Sequence, residues 1–189
     1  MSDDQPSPAT VRVAVGIVAL LAVGVVVMGL VLTGGDERAT RGRPTTAPRT
    51  GPVALVGVDA PGATSKPCTD LVKALPTTLP DSGKTLRRLE IAEPAPPAVA
   101  AWGGDRGEPV VLRCGLTRPD ELTPTAVLRE ISAVRWLPVE GAGASTWYAV
   151  DRAVYVALTV PTDTGTGPLQ EISAAVERTL PAKPVRARG

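Results

Sequence analysis

Along the chain the apolar positions change period twice. From Val13 to Thr33 there is no charge and no polar stripe, and Arg12 and Asp36 bracket the run. A helix of that length rises about 31 Å at ~1.5 Å per residue, the thickness of a bilayer hydrocarbon core. A soluble helix of this length carries a polar face, so a membrane-spanning helix is expected over 13–33, with the lipid bilayer as its partner. The run is longer than the apolar part of a signal peptide, and no A-x-A site follows it. The anchor is therefore expected to stay attached, behind a short cytoplasmic tail at 1–12.

Residues 34–66 lose the apolar pattern. The stretch RGRPTTAPRTGP is rich in Gly, Pro, Thr and Arg and reads as a semi-extended, disordered stalk. Val53–Val58 is the one apolar run there and a candidate early strand, although Gly57 and the prolines around it work against that reading.

Periodic structure returns at 67–182, and a basic tail follows at 183–189. Pro67 with Thr69 and Asp70 marks a helix start, Leu71, Val72 and Leu75 fall on one face, and Pro76 stops it. Gly83-Lys84 is a turn, Leu86–Ile91 a candidate strand, and Glu93–Pro97 a proline-rich loop. Pro109–Leu116 alternates as a strand does: Val110, Leu112 and Cys114 share one face, Val111 and Arg113 the other. Ala126–Ile131 fits a helical turn or a strand. Val134–Leu137 is a short strand that Pro138 should end, and Gly141–Ala144 a flexible loop. Ser145–Val150 and Ala153–Val160 form a hairpin about Asp151-Arg152, although Asp-Arg is not a favoured two-residue turn. Pro168–Thr179 is a helix with Pro in its first turn and an apolar stripe of Leu169, Ile172, Val176 and Leu180, ended by Pro181. This order, helix, several strands, helix, predicts an α+β fold: a two-layer antiparallel sheet with helices on one face, preceded by the transmembrane helix.

Composition narrows the chemistry. The chain has no Phe, no His and no Asn, and Arg supplies every basic residue except Lys66, Lys73, Lys84 and Lys183. That bias avoids residues with A/T-rich codons and points to a high-GC bacterial source. Without His there is no imidazole base or imidazole metal ligand. Without Asn there is no N-glycosylation acceptor. The net charge of +1 gives no basic bias for nucleic acid, which is not expected as a partner.

The 2 cysteines, Cys68 and Cys114, are too few for a zinc site without His, and no C-x-x-C is present. They are either two buried thiols or a disulfide tying the first helix to the sheet, a closure of about 4 kcal/mol on chain entropy.

Several segments together resemble a family of small, membrane-anchored actinobacterial proteins with a domain of unknown function. They are Cys68-Thr-Asp-Leu, Ala101-Trp102-Gly103, Pro109-Val-Val-Leu-Arg-Cys114-Gly115, Leu122-Thr-Pro124-Thr, Trp136-Leu-Pro138, Asp151-Arg152-Ala-Val-Tyr155-Val, and Leu169-Gln170 with Ile172-Ser173. The likeness covers Cys68 to Pro181, and Leu-Arg-Cys-Gly is its most specific piece. Between Trp102 and Pro109 this chain is longer than the usual pattern. The resemblance implies an N-terminal anchor or signal, an exported domain and paired cysteines, and no activity.

Orientation meets a conflict. Arg12 stands alone before the span, whereas Arg38, Arg41, Arg43 and Arg49 follow it, a count that puts the domain in the cytoplasm. Long C-terminal domains translocate largely regardless of nearby charge, and the cysteines suit an oxidising compartment. The domain is expected on the outer side of the membrane.

Catalytic signatures are thin. Gly141-Ala-Gly-Ala-Ser145 is neither a nucleophile elbow nor a dinucleotide loop. Asp120-Glu121 beside Pro119, and Asp105 with Glu108 around Gly107, read as solvated turns. No catalytic residue, metal ligand or cofactor site is assigned, and an enzyme is not expected. A binding module is. With an even hairpin loop, Tyr148 faces Tyr155 across the strands, while Trp147, Ala149, Val154, Val156 and Leu158 take the core side. Arg113 and Arg135 fall on the tyrosines' side by alternation. A face of Tyr148, Tyr155, Arg113 and Arg135 suits an anionic or polyhydroxylated envelope polymer or a membrane-protein partner, against the plainer reading of an ordinary exposed sheet face. Trp102 and Trp136 are assigned to the core. The alternatives are a structural subunit of a membrane complex and an envelope enzyme.

Overall fold

The computed structural model describes residues 51–186 together with Arg49. The expected span at 13–33 lies outside the described residues, as do the first part of the stalk and the last three residues of the tail. Among the described residues no helix is long and apolar enough to cross a membrane.

Proline sets both helix ends. Helix α1, Lys66–Ala74, has Pro67 in its first turn and ends at Leu75, whose φ of −65° and ψ of 141° are extended. Leu75 precedes Pro76, and the proline ring disfavours a helical conformation in the residue before it. Helix α2, Gly167–Thr179, repeats the device: Pro168 opens it, and Leu180, before Pro181, turns extended.

Among the described residues eight strands make one antiparallel sheet: β1 Thr78–Asp81, β2 Lys84–Arg88, β3 Val99–Gly103, β4 Val110–Leu116, β5 Arg129–Ile131, β6 Val134–Glu140, β7 Ala144–Ala149 and β8 Tyr155–Pro161. Their order is β1-β2-β3-β4-β8-β7-β6-β5. Two meanders therefore join at the β4–β8 pair. The chain leaving β4 must cross β8, β7 and β6 to reach β5 at the far edge, and residues 117–128 make that crossing.

The main core lies between the helices and one sheet face. It takes Cys68, Leu71 and Leu75 from or just after α1, Leu169, Ile172, Val176 and Leu180 from or just after α2, and Trp102, Leu112, Trp136 and Leu158 from the sheet. The α+β sheet with helices on one face is as expected, and both tryptophans are fully buried. The Trp102 indole N–H donates to the Pro76 carbonyl at 2.9 Å, and the Arg88 guanidinium sits 4.9 Å from the centre of its ring.

Cys68 and Cys114 form a disulfide with their Cα atoms 5.5 Å apart, joining α1 to β4. Beside it β4 is bulged between Cys114 and Leu116, and Gly115 has φ +84°. The Gly62 N–H donates to the Gly115 carbonyl at 2.9 Å. A Cβ on Gly115 would stand 2.2 Å from the Gly62 carbonyl carbon. The Cys-Gly pair thus needs both residues: one for the bond and one for the close approach of the chain leading into α1.

Several expectations are corrected. The stalk does not run free to residue 66. Val53 bridges Ile91, Ala63 is buried, and Arg49 donates to the carbonyls of Gly104 and Gly107 at 2.6 and 2.8 Å. Val53–Val58 forms no strand beyond that bridge. The basic tail is docked as far as Arg186: the Lys183 N–H donates to the Asp151 carbonyl at 2.7 Å, and Val185 packs on a small second core.

Pro138 does not end β6, which continues to Glu140. The Val150 N–H bonds to the Arg135 carbonyl, so the odd residues of β6 face β7 in hydrogen-bonded pairs. Pro138 turns its nitrogen the other way, past the end of β5, where no ladder bond is lost. Gly141–Ala144 is a tight turn, closed by the Gly141 N–H on the Ala144 carbonyl. Strands β1 and β3 were not anticipated. In β3, Ala100 to Gly103 are all buried, so no alternation marks it.

The hairpin loop is Val150–Val154 rather than Asp151-Arg152. Those two residues form a buried ion pair, Arg152 Nη1 to Asp151 Oδ2 at 2.9 Å. Arg152 also donates to the Ala133 carbonyl at 2.8 Å, holding the β5–β6 turn in which Ser132 and Ala133 take φ of 47° and 53°. One Asp-Arg pair therefore pins this loop, the neighbouring turn and the C-terminal segment together.

Candidate functional site

The sheet face away from the helices carries the candidate site. On it, Arg113 of β4 pairs with Ala157 of β8, and Ala157 with Tyr148 of β7. One step along the same strands, Thr146 pairs with Thr159, their hydroxyls 3.2 Å apart. These five side chains floor a cleft of about 390 Å³. Val58 and Asp59 form one wall, and the Leu116–Glu121 segment the other. The volume falls near the lower end of the range for small-molecule sites, roughly 300–1,000 Å³.

Arg113 is the least satisfied group there. Its side chain is half-buried, and its buried Nε has no hydrogen-bond partner. One terminal nitrogen reaches the Val56 carbonyl at 3.5 Å, a distance too long to count as a strong bond. Burial lowers its pKa from the usual arginine value, while the nearby Tyr148 acts to raise it. The Tyr148 hydroxyl is pushed above the usual tyrosine pKa, first by burial and then by the charge of Glu121, and Arg113 opposes both. Arg118, on the wall, is tied down by the carbonyls of Leu122 and Arg186.

The predicted face therefore splits. Arg113 and Tyr148 meet in the cleft. Tyr155 shares the face but does not sit opposite Tyr148: it pairs with Leu116 across to β4, because the hairpin loop is longer than expected and moves the register by two while keeping the faces. Both tyrosines pack on a second core of Leu122, Leu137 and Val150, made by the crossing segment 117–128. Arg135 is on the same side by register but lies outside the cleft, 3.8 Å from Glu130 in an exposed ion pair. The threonines and the rim carboxylates were missed. Thr146 and Thr159 follow from the same alternation that placed Tyr148, whereas the approach of Asp59, Asp120 and Glu121 has no signal in local pattern.

Chemically, the floor offers one cation with unused donors, a phenol and two hydroxyls, with carboxylates above. Among the described residues no group of three or more His, Cys, Asp or Glu side chains is placed to hold a metal ion.

These features define a disulfide-closed α+β domain with an open polar cleft on its uncovered sheet face. Residues 17–185 match the family model described as Protein of unknown function (DUF3515), and the chain belongs to that family. No curated protein and no solved structure matches it.

Proposed function

We propose that this chain is a single-pass membrane protein of the actinobacterial cell envelope, anchored by Val13–Thr33, and that its domain is an extracytoplasmic binding module rather than an enzyme. The observation that carries the binding reading is Arg113: a half-buried guanidinium at the floor of a cleft, with no carboxylate in ion-pair contact among the described residues. A guanidinium partly withdrawn from water without a counter-charge carries a desolvation cost that an incoming anionic group offsets. The disulfide supports the outer location, because such bonds persist in oxidising compartments.

Two measurements test this. Reporters active only outside or only inside the membrane are fused in turn to the C-terminus, and activity of the inside reporter alone overturns the location. The full chain is melted in acetate and in chloride at equal ionic strength. Acetate should raise the melting temperature of the wild type more than that of Arg113→Gln; equal response of the two proteins removes the case for an anion site.

A second reading has its own support. Val56 is 82% exposed and Val58 49% exposed, two residues apart in the chain, and Val58 lines the cleft. That favours a structural contact with another membrane protein, and Val56→Asp with Val58→Asp would then release the partner without altering the acetate response.

A further inference from the structure

We propose that the cleft over Arg113 takes a small zwitterion, an amino acid or a dipeptide, with its carboxylate on the guanidinium and its ammonium among Asp59, Asp120 and Glu121. This rests on reading the cleft as a binding site and adds the class of ligand.

The floor of the cleft is positive, and its walls carry three carboxylates with one arginine, Arg118, among them. The positive group at the floor is Arg113, on a central strand, where the backbone fixes its position. The negative groups are on the walls: Asp59 on one side, Asp120 and Glu121 on the other, all three exposed. Among the described residues none of these carboxylates is in an ion pair, and neither is Arg113. A set of opposite charges that surround one cavity without neutralising one another is complementary to a ligand carrying both signs.

The alternatives fit less well. With Arg118 counted, the cleft holds two cations against three carboxylates. A polyanion would be attracted by Arg113 and repelled by the wall. A simple cation would be held by the wall, but Arg113 would stay without a counter-charge beneath it. Only a ligand with a terminal carboxylate and a separate ammonium satisfies both, and the guanidinium fork matches a carboxylate in two parallel bonds. The Tyr148 hydroxyl and the Thr146–Thr159 pair supply neutral polar contacts between the two charged ends. A cleft of about 390 Å³ is large enough to admit a dipeptide.

The test uses the full-length chain in detergent and reads saturation-transfer NMR of three probes: dialanine, its N-acetyl form and its C-terminal amide. Dialanine should bind at least about tenfold more tightly than either blocked form, the loss expected for one charge pair of about 1.4 kcal/mol. Arg113→Gln should weaken dialanine by about tenfold or more. The pair Asp120→Asn with Glu121→Gln, both at exposed positions where refolding is not at issue, should weaken dialanine similarly and leave N-acetyl-dialanine unchanged. If N-acetyl-dialanine binds as well as dialanine and both depend on Arg113, the zwitterion is wrong and the anion site stands. If the amide binds best and depends on the wall pair, the site is cationic and both ideas fall. If no probe binds at millimolar concentration, the zwitterion is wrong, and the acetate response decides the anion site separately.

Discussion

The Cys68–Cys114 bond offers the sharpest test of how this domain is held together. The two cysteines are 46 residues apart in sequence, and both lie in the main core at 0% and 1% exposure. Opening the bond releases a loop whose closure entropy is about 13.6 cal/mol/K, or about 4 kcal/mol at 25 °C. A domain of this size has roughly 5–15 kcal/mol of net stability, so the bond is a large share of it. Unfolding entropy of about 2.1 cal/mol/K per residue over roughly 135 residues is about 280 cal/mol/K, and the loss converts to a fall in melting temperature of about 14 °C. Two perturbations separate cross-link from packing. Reduction keeps both sulfurs in the core and removes only the bond. Cys68→Ala with Cys114→Ala removes the sulfurs too and should fall further, by about 1–2 kcal/mol for the lost buried volume. Calorimetry of the full chain with and without reductant, beside the double variant, gives both numbers. A fall of less than about 4 °C on complete reduction would refute the loop-closure argument. Two free thiols in the denatured, unreduced protein would remove the bond itself and, with it, the main physical support for an exported domain.

Three further outcomes are expected. Gly115→Ala should cost about 2–4 kcal/mol in urea unfolding, because φ of +84° and the Gly62 backbone both exclude a Cβ; a loss under about 1 kcal/mol would mean the two chains separate easily. Arg152→Ala should cost about 3–5 kcal/mol by leaving Asp151 charged and buried, whereas Asp151→Leu with Arg152→Met should cost far less; equal losses would show that the hydrogen bond to Ala133 matters more than the charge. Absorbance at 295 nm should show Tyr148 ionising above the usual value of about 10, and Tyr148→Phe should remove that step. Since its folded pKa is raised, Tyr148 contributes stability that is complete below the unfolded value and is lost as pH rises through the folded one. Stability of the wild type should therefore fall more steeply than that of Tyr148→Phe above pH ~10, and parallel curves would remove the cause given for the shift.

Position by position, local pattern decided what local physics controls. Prolines 67, 76, 168 and 181 bound the two helices because a proline fixes its own φ and restricts the residue before it, whatever the rest of the chain does. Alternation placed Cys114 inward and Arg113 outward in β4, and put Tyr148 on Arg113's side, because side chains in a strand alternate with a period of two in any sheet. The same alternation placed Trp147 and Leu158 toward the helices. Even the register error kept the faces right, since it moved the strands by two.

Tertiary structure alone decided the rest. Strand β3 is buried throughout and shows no period, so only its pairing between β2 and β4 reveals it. Pro138 reads as a stop, and it is harmless only because β5 is short and ends before reaching it. Asp151-Arg152 reads as a two-residue hairpin turn, yet the docked C-terminal segment and the β5–β6 turn enclose it as a buried pair. The cleft itself is made by two segments with no local signal, the stretch around Val58-Asp59 and the crossing from β4 to β5. The crossing must pass over the sheet because three strands lie between β4 and β5, and the Val58-Asp59 stretch, which precedes the sheet in the chain, lines the same cleft. Alternation says which side of a strand a residue faces, and only the strand order says what covers that side.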